Sequence, residues 1–260
     1  SLAACGGDTG DTSGDTATDD TSGGESDTAQ TYTVGIIQQM QHEALDAATE
    51  GFQAALADQL GESVTVEFEN ASGDPSNYST IANNFVSQGV DLIMANGTSA
   101  LQAASTATST IPILGTSITE YGVALGIDGF EGTTGFNVSG TSDLAPLDQQ
   151  AAMIQTWFPS AQTVGLLYCS AEPNSQYQVD TVQGYLEEMG YACTQYSFSD
   201  SNDLSAVATN ACAQSDVLYI PTDNTAANNA ELIGNIALDA GTPVIAGEEG
   251  ICRGCGVATL

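Results

Sequence analysis

From Gln30 onward, short apolar runs alternate with longer segments in which apolar residues recur every three or four positions. The runs at 33–37, 64–70, 90–96 and 111–118 are rich in β-branched residues and predict strands. The segments between them have helical spacing, and in the first of these Leu45, Phe52 and Leu56 fall on one face. Strands of about four to eight residues separated by single helices predict βαβ crossovers and a parallel sheet.

The same pattern occurs a second time along the chain. TVGLLYC from Thr163 repeats TVGII from Thr33 at an offset of 130 residues. DVLYIPTDN from Asp216 likewise resembles DLIMANGT from Asp91, and TPVIAGEE from Thr242 resembles IPILGTS from Ile111. The repeat predicts an α/β fold of two tandem doubly wound parallel-sheet lobes. We place lobe 1 at residues 31–142 and lobe 2 at residues 143–260.

The charge of the chain excludes two classes of partner. The sequence has 33 acidic residues, a single basic residue, Arg253, and a formal net charge of −32. Nucleic-acid binding requires cationic side chains that displace phosphate counterions, and an anionic membrane surface repels such a chain. We therefore expect no nucleic acid and no membrane surface as a partner.

Sequence signatures of catalysis or metal binding are lacking. His42 is the only histidine, and the sequence has no GxSxG elbow, Walker loop or His-rich metal set. Cys252 and Cys255 form a CxxC without a second pair, which argues for a structural or incidental pair rather than a zinc or redox site, with a disulfide left open. We expect a protein that is not an enzyme and holds no metal or cofactor.

Small polar residues follow the predicted strands in both halves. Ligands of open parallel sheets bind beyond the carboxyl ends of the strands, near helix N-termini. Helix capping alone explains any one such loop, but here both lobes present them at one shared cleft. We predict as ligand-binding Gln39, His42, Thr98, Ser99, Thr116, Ser117, Tyr121, Ser142, Asp143, Ser170, Glu172, Asn174, Ser175, Thr222, Asp223, Asn224 and Glu248.

A family resemblance rests on YTVGIIQQMQHEALDAATEGF, FENASGD, GTSDLAPLDQQ, TVGLLYCSAEPNS, DVLYIPTDNT and PVIAGEEG. On these stretches the chain resembles the lipoprotein substrate-binding components of ABC importers with a type I periplasmic-binding-protein fold. The similar branch is the one linked to tryptophan, tyrosine and related amino acids. Glu43 departs from the family pattern, which usually has proline after this histidine. The chain also stops at GVATL, where such proteins continue with a segment that recrosses to lobe 1.

The resemblance implies that a small ligand is clamped between the lobes and that an ABC permease recognises the closed form. The expected ligand is an amino acid, aromatic ones included, and the expected protein is a monomer. Because Arg253 is the one cationic residue, we expect hydroxyls and backbone N–H groups near Ser99 or Ser175 to hold a ligand carboxylate. Candidate partners of a ligand ammonium are Asp223, which capping explains equally well, Glu248 and Asp143. Tyr121 and Tyr177 are candidates to stack on an aromatic ligand.

Three alternatives stay open at this point. In the first, a protein of the same fold binds a nucleoside, sugar or other organic solute instead of an amino acid. In another, the protein is a lipid-anchored sensory subunit that presents its closed form to a membrane receptor. An α/β enzyme such as a racemase needs a cysteine pair across the cleft, and Cys169 has no counterpart at the end of a lobe 1 strand.

The first 30 residues differ from the rest of the chain. Leu2-Ala3-Ala4-Cys5 resembles a bacterial lipobox, at which a signal peptide is removed and the cysteine is lipidated. The stretch that follows is rich in Gly, Thr, Ser and Asp and has too few apolar residues to form a core. We therefore expect a disordered N-terminal tether and an extracytoplasmic protein, lipid-anchored through Cys5 to the bacterial cell membrane.

Overall fold

The computed structural model describes residues 30–260, and residues 31–260 form one compact unit. The predicted lipidation site Cys5 and the predicted tether before Gln30 lie outside the described residues. No helix within the described residues is both long and apolar enough to cross a membrane.

Lobe 1 contains a parallel sheet of five strands. Its strands are β1 (Tyr32–Gln38), β2 (Val64–Asn70), β3 (Leu92–Asn96), β4 (Ile113–Ile118) and β5 (Val138–Ser142), and their order across the sheet is β2-β1-β3-β4-β5. Four helices follow the first four strands in turn: α1 (Glu43–Leu60), α2 (Pro75–Gln88), α3 (Thr98–Ala107) and α4 (Tyr121–Leu125).

Lobe 2 contains a second parallel sheet of five strands. They are β6 (Thr163–Cys169), β7 (Ala192–Phe198), β8 (Val217–Ile220), β9 (Val244–Ala246) and β10 (Ala258–Thr259), in the order β10-β9-β8-β6-β7. The helices of this lobe are α5 (Leu147–Trp157), α6 (Pro173–Glu188), α7 (Leu204–Gln214), α8 (Asn224–Asn228), α9 (Ala230–Ala240) and α10 (Glu249–Cys255).

The second sheet repeats the topology of the first. Replacing β1–β5 by β6–β10 converts one strand order into the other, so the sequence repeat corresponds to a structural repeat. The prediction of two tandem doubly wound parallel-sheet lobes is confirmed. The chain passes from the first sheet to the second through residues 143–146, here called the junction segment. The exact lobe boundary after residue 142 stays a prediction.

Helices cover both faces of each sheet, so the central strands are apolar on both sides. Ile36 and Ile37 are adjacent in β1 and point to opposite faces, yet both are fully buried. Leu166 and Leu167 occupy the matching positions of β6 and are also fully buried. This burial fixes the strand register and therefore the position of the loops at the carboxyl ends of the strands.

Five cysteines lie in the described part of the chain, and all are free thiols. Cys252 and Cys255 lie three positions apart on α10 and form no disulfide. Burial raises the pKa of Cys255 to about 12, so its thiol is a poor nucleophile at neutral pH. The two side chains are half-buried and pack against the apolar core of lobe 2.

A glycine in the repeated TVG sequence leaves room for a neighbouring side chain in each lobe. A Cβ atom at Gly35 would lie 2.7 Å from the ring of Phe85 on α2. Gly165 holds the equivalent place in β6, where a Cβ would collide with Ser215 and Leu218. The repeated glycine therefore makes room for a neighbouring side chain at the equivalent position of both lobes.

We expect Gly35→Ala to lower the free energy of unfolding by about 1–3 kcal/mol, because Phe85 has to shift within a packed core. Gly51→Ala is the matched control, since a Cβ there meets nothing within 4 Å and Gly51 lies inside α1. The control should gain about 0.5–1 kcal/mol from helix propensity. Urea denaturation measures both changes, and an unaltered stability of Gly35→Ala would contradict the close packing.

Candidate functional site: the cleft between the lobes

The carboxyl ends of the two sheets face each other across a cleft that contains two cavities. The first, here called the outer cavity, has a volume of about 760 Å³ and is lined by Gln39, Tyr78 and Ser99 of lobe 1 and by Glu172, Thr225 and residues 199–202 of lobe 2, among others. The second, the hinge cavity, measures about 400 Å³ and lies beside the junction segment. Its lining includes His42, Ser117 and Thr119 of lobe 1, and Asp143, Asn174, Asn224 and Glu248.

A hydrogen bond joins the lobes between these cavities. His42 Nε2 lies 3.0 Å from Oδ1 of Asn224, across the cleft. The amide nitrogen of Asn224 already donates to Glu172 over 2.8 Å, so its Oδ1 can only accept. His42 therefore carries a proton on Nε2 and donates it to lobe 2.

The loop that carries His42 is fixed from within lobe 1. Gln38, at the end of β1, donates to the backbone oxygen of Met40 over 2.8 Å and to Asp46 over 2.7 Å. Thr49 in turn donates to the side-chain oxygen of Gln38 over 2.6 Å. These buried contacts hold the loop in one conformation, so the imidazole is positioned before it meets lobe 2.

Glu172 organises the opposite wall of the cleft. Its carboxylate is 3% exposed and accepts hydrogen bonds from the backbone N–H groups of Asn224 and Thr225, at the N-terminus of α8. The Thr225 hydroxyl adds a further bond of 2.7 Å. These donors satisfy both oxygens of the Glu172 carboxylate.

Asp223 lies beside Glu172 and is the N-cap of α8. One oxygen accepts from the N–H of Ala226 and the other from the N–H of Cys169, both over 2.7 Å. Burial raises the pKa of Asp223 well above its ordinary value, and repulsion by Glu172 adds to the shift. The structure thus gives Asp223 a capping role, and both of its oxygens are occupied.

The N-terminus of α3 is also occupied. The N–H of Ser99 donates to the side-chain oxygen of Gln39 over 2.9 Å. Gln39 is 1% exposed and lines the outer cavity. A ligand carboxylate can use the Ser99 N–H only after displacing this amide oxygen.

A second inter-lobe contact lies at the surface. Arg253 on α10 bonds Glu43 at the start of α1 over 2.9 Å and Glu249 on its own helix over 2.6 Å. The three side chains are well exposed, and exposed ion pairs contribute little, about 0–1 kcal/mol. Arg253 lines neither cleft cavity, so it is unsuited to hold a ligand carboxylate there.

The structure brings most predicted ligand-binding residues to the cleft. Gln39, Ser99 and Glu172 line the outer cavity, and the hinge cavity is lined by His42, Ser117, Asp143, Asn174, Thr222, Asp223, Asn224 and Glu248. Thr98, Thr116, Ser142, Ser170 and Ser175 line neither cavity. Thr98 and Ser175 are buried in their helices, and the hydroxyls of Ser142 and Ser170 donate to the backbone oxygens of Thr119 and Phe198.

The interpretation of Tyr121 as a ligand-stacking residue is corrected by its position. Tyr121 begins α4, is 7% exposed and packs against Phe130 in the core of lobe 1. Its hydroxyl donates to the backbone oxygens of Gly115 and Thr141, each over 3.0 Å. Tyr121 therefore links β4 to β5. Tyr177 packs against the core of lobe 2 and lines neither cavity.

Several cleft residues were not predicted from the sequence. Residues 199–202 follow β7, so the rule of polar residues after a strand would have found them. Tyr78 lies within α2, where its spacing is that of a core residue, yet it reaches the outer cavity and its hydroxyl lies 3.3 Å from the backbone oxygen of Gln39. No sequence signal distinguishes Tyr78 from a packing residue.

Two doubly wound lobes with a cleft between them define the class of type I periplasmic binding proteins. The family model of ABC transporter substrate binding proteins matches residues 33–260. The tyrosine-binding protein of Clostridioides difficile is 34% identical over 229 residues, which are 87% of this chain and 66% of that protein, just under two thirds of its length. The chain belongs to the family of ABC transporter substrate-binding proteins.

Two solved structures bear on the arrangement of the lobes. The ABC domain from Streptococcus pneumoniae in complex with L-Trp is 27% identical, with a TM-score of 0.84 over 89% of this chain and 79% of that one. The ligand-free, open structure of a substrate-binding protein with adhesive properties from Clostridium difficile is 36% identical, but its TM-score is 0.61 over 86% of this chain and 77% of that one. The chain therefore superimposes more closely on the ligand-bound structure than on the open one.

The raised pKa of Asp223 predicts how stability depends on pH. An unfolded aspartate has a pKa of about 3.9, and in the native state the proton is held to higher pH. Between the unfolded and the native pKa of Asp223, the native state binds more protons than the unfolded state. The free energy of unfolding therefore falls as pH rises through this range. We expect a lower free energy of unfolding at pH 8 than at pH 5, by urea denaturation.

Asp223→Asn should show a smaller change in the free energy of unfolding between pH 5 and pH 8, because the asparagine side chain does not titrate. Asp216→Asn is the matched control: Asp216 also accepts backbone N–H bonds, but those bonds lower its pKa, so its titration falls below pH 4. If the free energy of unfolding of Asp223→Asn changed with pH as steeply as that of the wild type between pH 5 and pH 8, Asp223 would not be the source of the pH dependence.

Proposed function

We propose that this protein is the extracytoplasmic solute-binding component of an ABC importer and that its ligand is an amino acid, aromatic ones included. The observation that carries the proposal is the pair of cavities between lobes held together by the His42–Asn224 bond. Their volumes fall in the range of about 300–1,000 Å³ that is typical of small-molecule sites. An amino acid fits within either.

The relatives support the class of ligand. One is a tyrosine-binding protein, and another was solved in complex with L-Trp. The lining residues of the two cavities offer hydroxyls, amides and carboxylates, with Tyr78 and Met40 as apolar surface in the outer cavity. A zwitterion with an apolar side chain matches this mixture of groups.

The mode of action follows from the two-lobed architecture. A ligand that contacts both lobes favours the closed form, since its bonds to the second lobe form only after closure. The closed form is then the state that a membrane permease recognises. We further propose that Cys5 is lipidated and that residues 1–30 tether the lobes to the bacterial cell membrane.

A thermal-shift screen against the amino acids, common nucleosides and simple sugars tests the proposal. A ligand at 100 times its Kd stabilises the native state by about 2.7 kcal/mol, which raises the Tm of a protein of this size by several degrees. We expect that rise with one or more amino acids, tyrosine and tryptophan first among them. If every amino acid left Tm unchanged while a nucleoside or sugar raised it, the proposed ligand class would be wrong.

A further inference from the structure

We propose that Asp143, in the junction segment, is the counter-ion of the ligand's ammonium group and that Asn174 accepts a second hydrogen bond from that ammonium within the hinge cavity. This inference rests on the proposed function, because it assumes a ligand that carries an ammonium group. It selects one acid among the several that surround the cleft.

The other acids of the hinge cavity, and Glu172 in the outer cavity, accept hydrogen bonds from groups of the protein. Glu172 accepts from the N-terminus of α8, and both oxygens of Asp223 accept backbone N–H bonds. Glu248 caps α10, where its two oxygens accept from the N–H groups of Gly250 and Ile251. Glu249 pairs with Arg253. A ligand that took any of these carboxylates would compete with a helix cap or an ion pair.

Asp143 has no such commitment. Its side chain is exposed to the cavity, and the donors near its oxygens are the Thr119 hydroxyl and its own backbone N–H. The cleft walls partly desolvate the carboxylate and Glu248 repels it, and both effects raise the pKa of Asp143. A ligand ammonium beside Asp143 offsets the repulsion from Glu248. It also donates hydrogen bonds that replace those the carboxylate loses when water is displaced.

Asn174 provides an independent indication of a missing donor. The residue is 4% exposed and lines the hinge cavity, and its Oδ1 has no hydrogen-bond partner. Its amide nitrogen lies 3.4 Å from acceptors on Glu172, Ser175 and Thr222, which fixes the orientation of the amide. A buried acceptor without a donor costs about 1–3 kcal/mol, so a ligand that supplies an N–H group gains from meeting it.

The charge of the cavity selects the same chemical group. Its lining contains four carboxylates and no lysine or arginine, and His42 already donates to Asn224. An ammonium group carries one positive charge and three donors, which suits a carboxylate and an amide oxygen together. The cavity offers a ligand carboxylate no cationic side chain, so a ligand without an ammonium group gains no charge pairing there.

The position of Asp143 connects binding of the ligand ammonium to the junction segment between the lobes. Its backbone N–H donates to the oxygen of Ile118 at the end of β4, so Asp143 is attached to lobe 1 at the point where the chain passes to lobe 2. Asn174 belongs to α6 of lobe 2. An ammonium bound by both residues joins the lobes beside the segment that connects them.

Isothermal titration calorimetry with three matched ligand sets tests this assignment. The first set is L-tyrosine and L-tryptophan; the second, tyramine and tryptamine, retains the ammonium without the carboxylate. The third, 3-(4-hydroxyphenyl)propionate and indole-3-propionate, retains the carboxylate without the ammonium. Asp143→Asn keeps the size of the side chain and removes its charge. We expect it to weaken binding of the first two sets by about tenfold or more and not to weaken binding of the third.

Two further variants complete the design. Asp148→Asn removes an equal charge from the exposed first turn of α5 without touching either cavity, and its Kd values should stay within about twofold of wild type. Asn174→Ala removes the second acceptor and should weaken the same two ligand sets. Far-UV circular dichroism of each variant shows that the fold is retained.

The outcomes separate the assignment from the proposed function. If the wild type binds an amino acid and Asp143→Asn binds it equally well, the assignment is overturned and the proposed function stands. If the wild type binds the amines but no amino acid, the amino-acid function fails, and the loss of amine binding in Asp143→Asn still supports the assignment. A wild-type protein that binds none of the ammonium ligands overturns both.

Discussion

The buried carboxylate of Glu172 is the interaction on which the cleft depends. It accepts the backbone N–H groups of Asn224 and Thr225 and so fixes the N-terminus of the short helix α8. It also holds the amide nitrogen of Asn224, which leaves the oxygen of that amide to face lobe 1. His42 meets that oxygen across the cleft. A single desolvated charge thereby orients both the wall of lobe 2 and the contact that joins the lobes.

The same arrangement explains how an extremely acidic chain forms a binding site. Three acids at the cleft accept hydrogen bonds from backbone N–H groups at helix N-termini, where the helix dipole favours negative charge. Asp223, Glu172 and Glu248 all follow this scheme. Their oxygens are satisfied by backbone N–H groups rather than by lysine or arginine. The one carboxylate of the hinge cavity outside this scheme and outside an ion pair, Asp143, is therefore the group with most to gain from a cationic ligand.

Much of the fold followed from periodicity. The strand at 64–70 has the bounds predicted for it, and the repeat of TVG at Gly35 and Gly165 marks the same packing point in both sheets. The site was less accessible to prediction. Polar residues after strands indicated the correct edge of the sheet, but sequence does not tell a ligand contact from a cap, as Asp223 shows. Tyr121 was predicted at the site but links β4 to β5, whereas Tyr78, for which no prediction was made, lines the outer cavity. The environment of each ring depends on packing between distant elements.

The central claim is that the lobes close on a ligand and that the His42–Asn224 bond belongs to the closed form. Small-angle X-ray scattering of the full chain, with and without a bound ligand, tests it most directly. The account predicts that ligand reduces the radius of gyration of the wild type, and that His42→Ala needs more ligand to reach the same value. A radius of gyration that stays constant while calorimetry shows ligand binding would contradict closure.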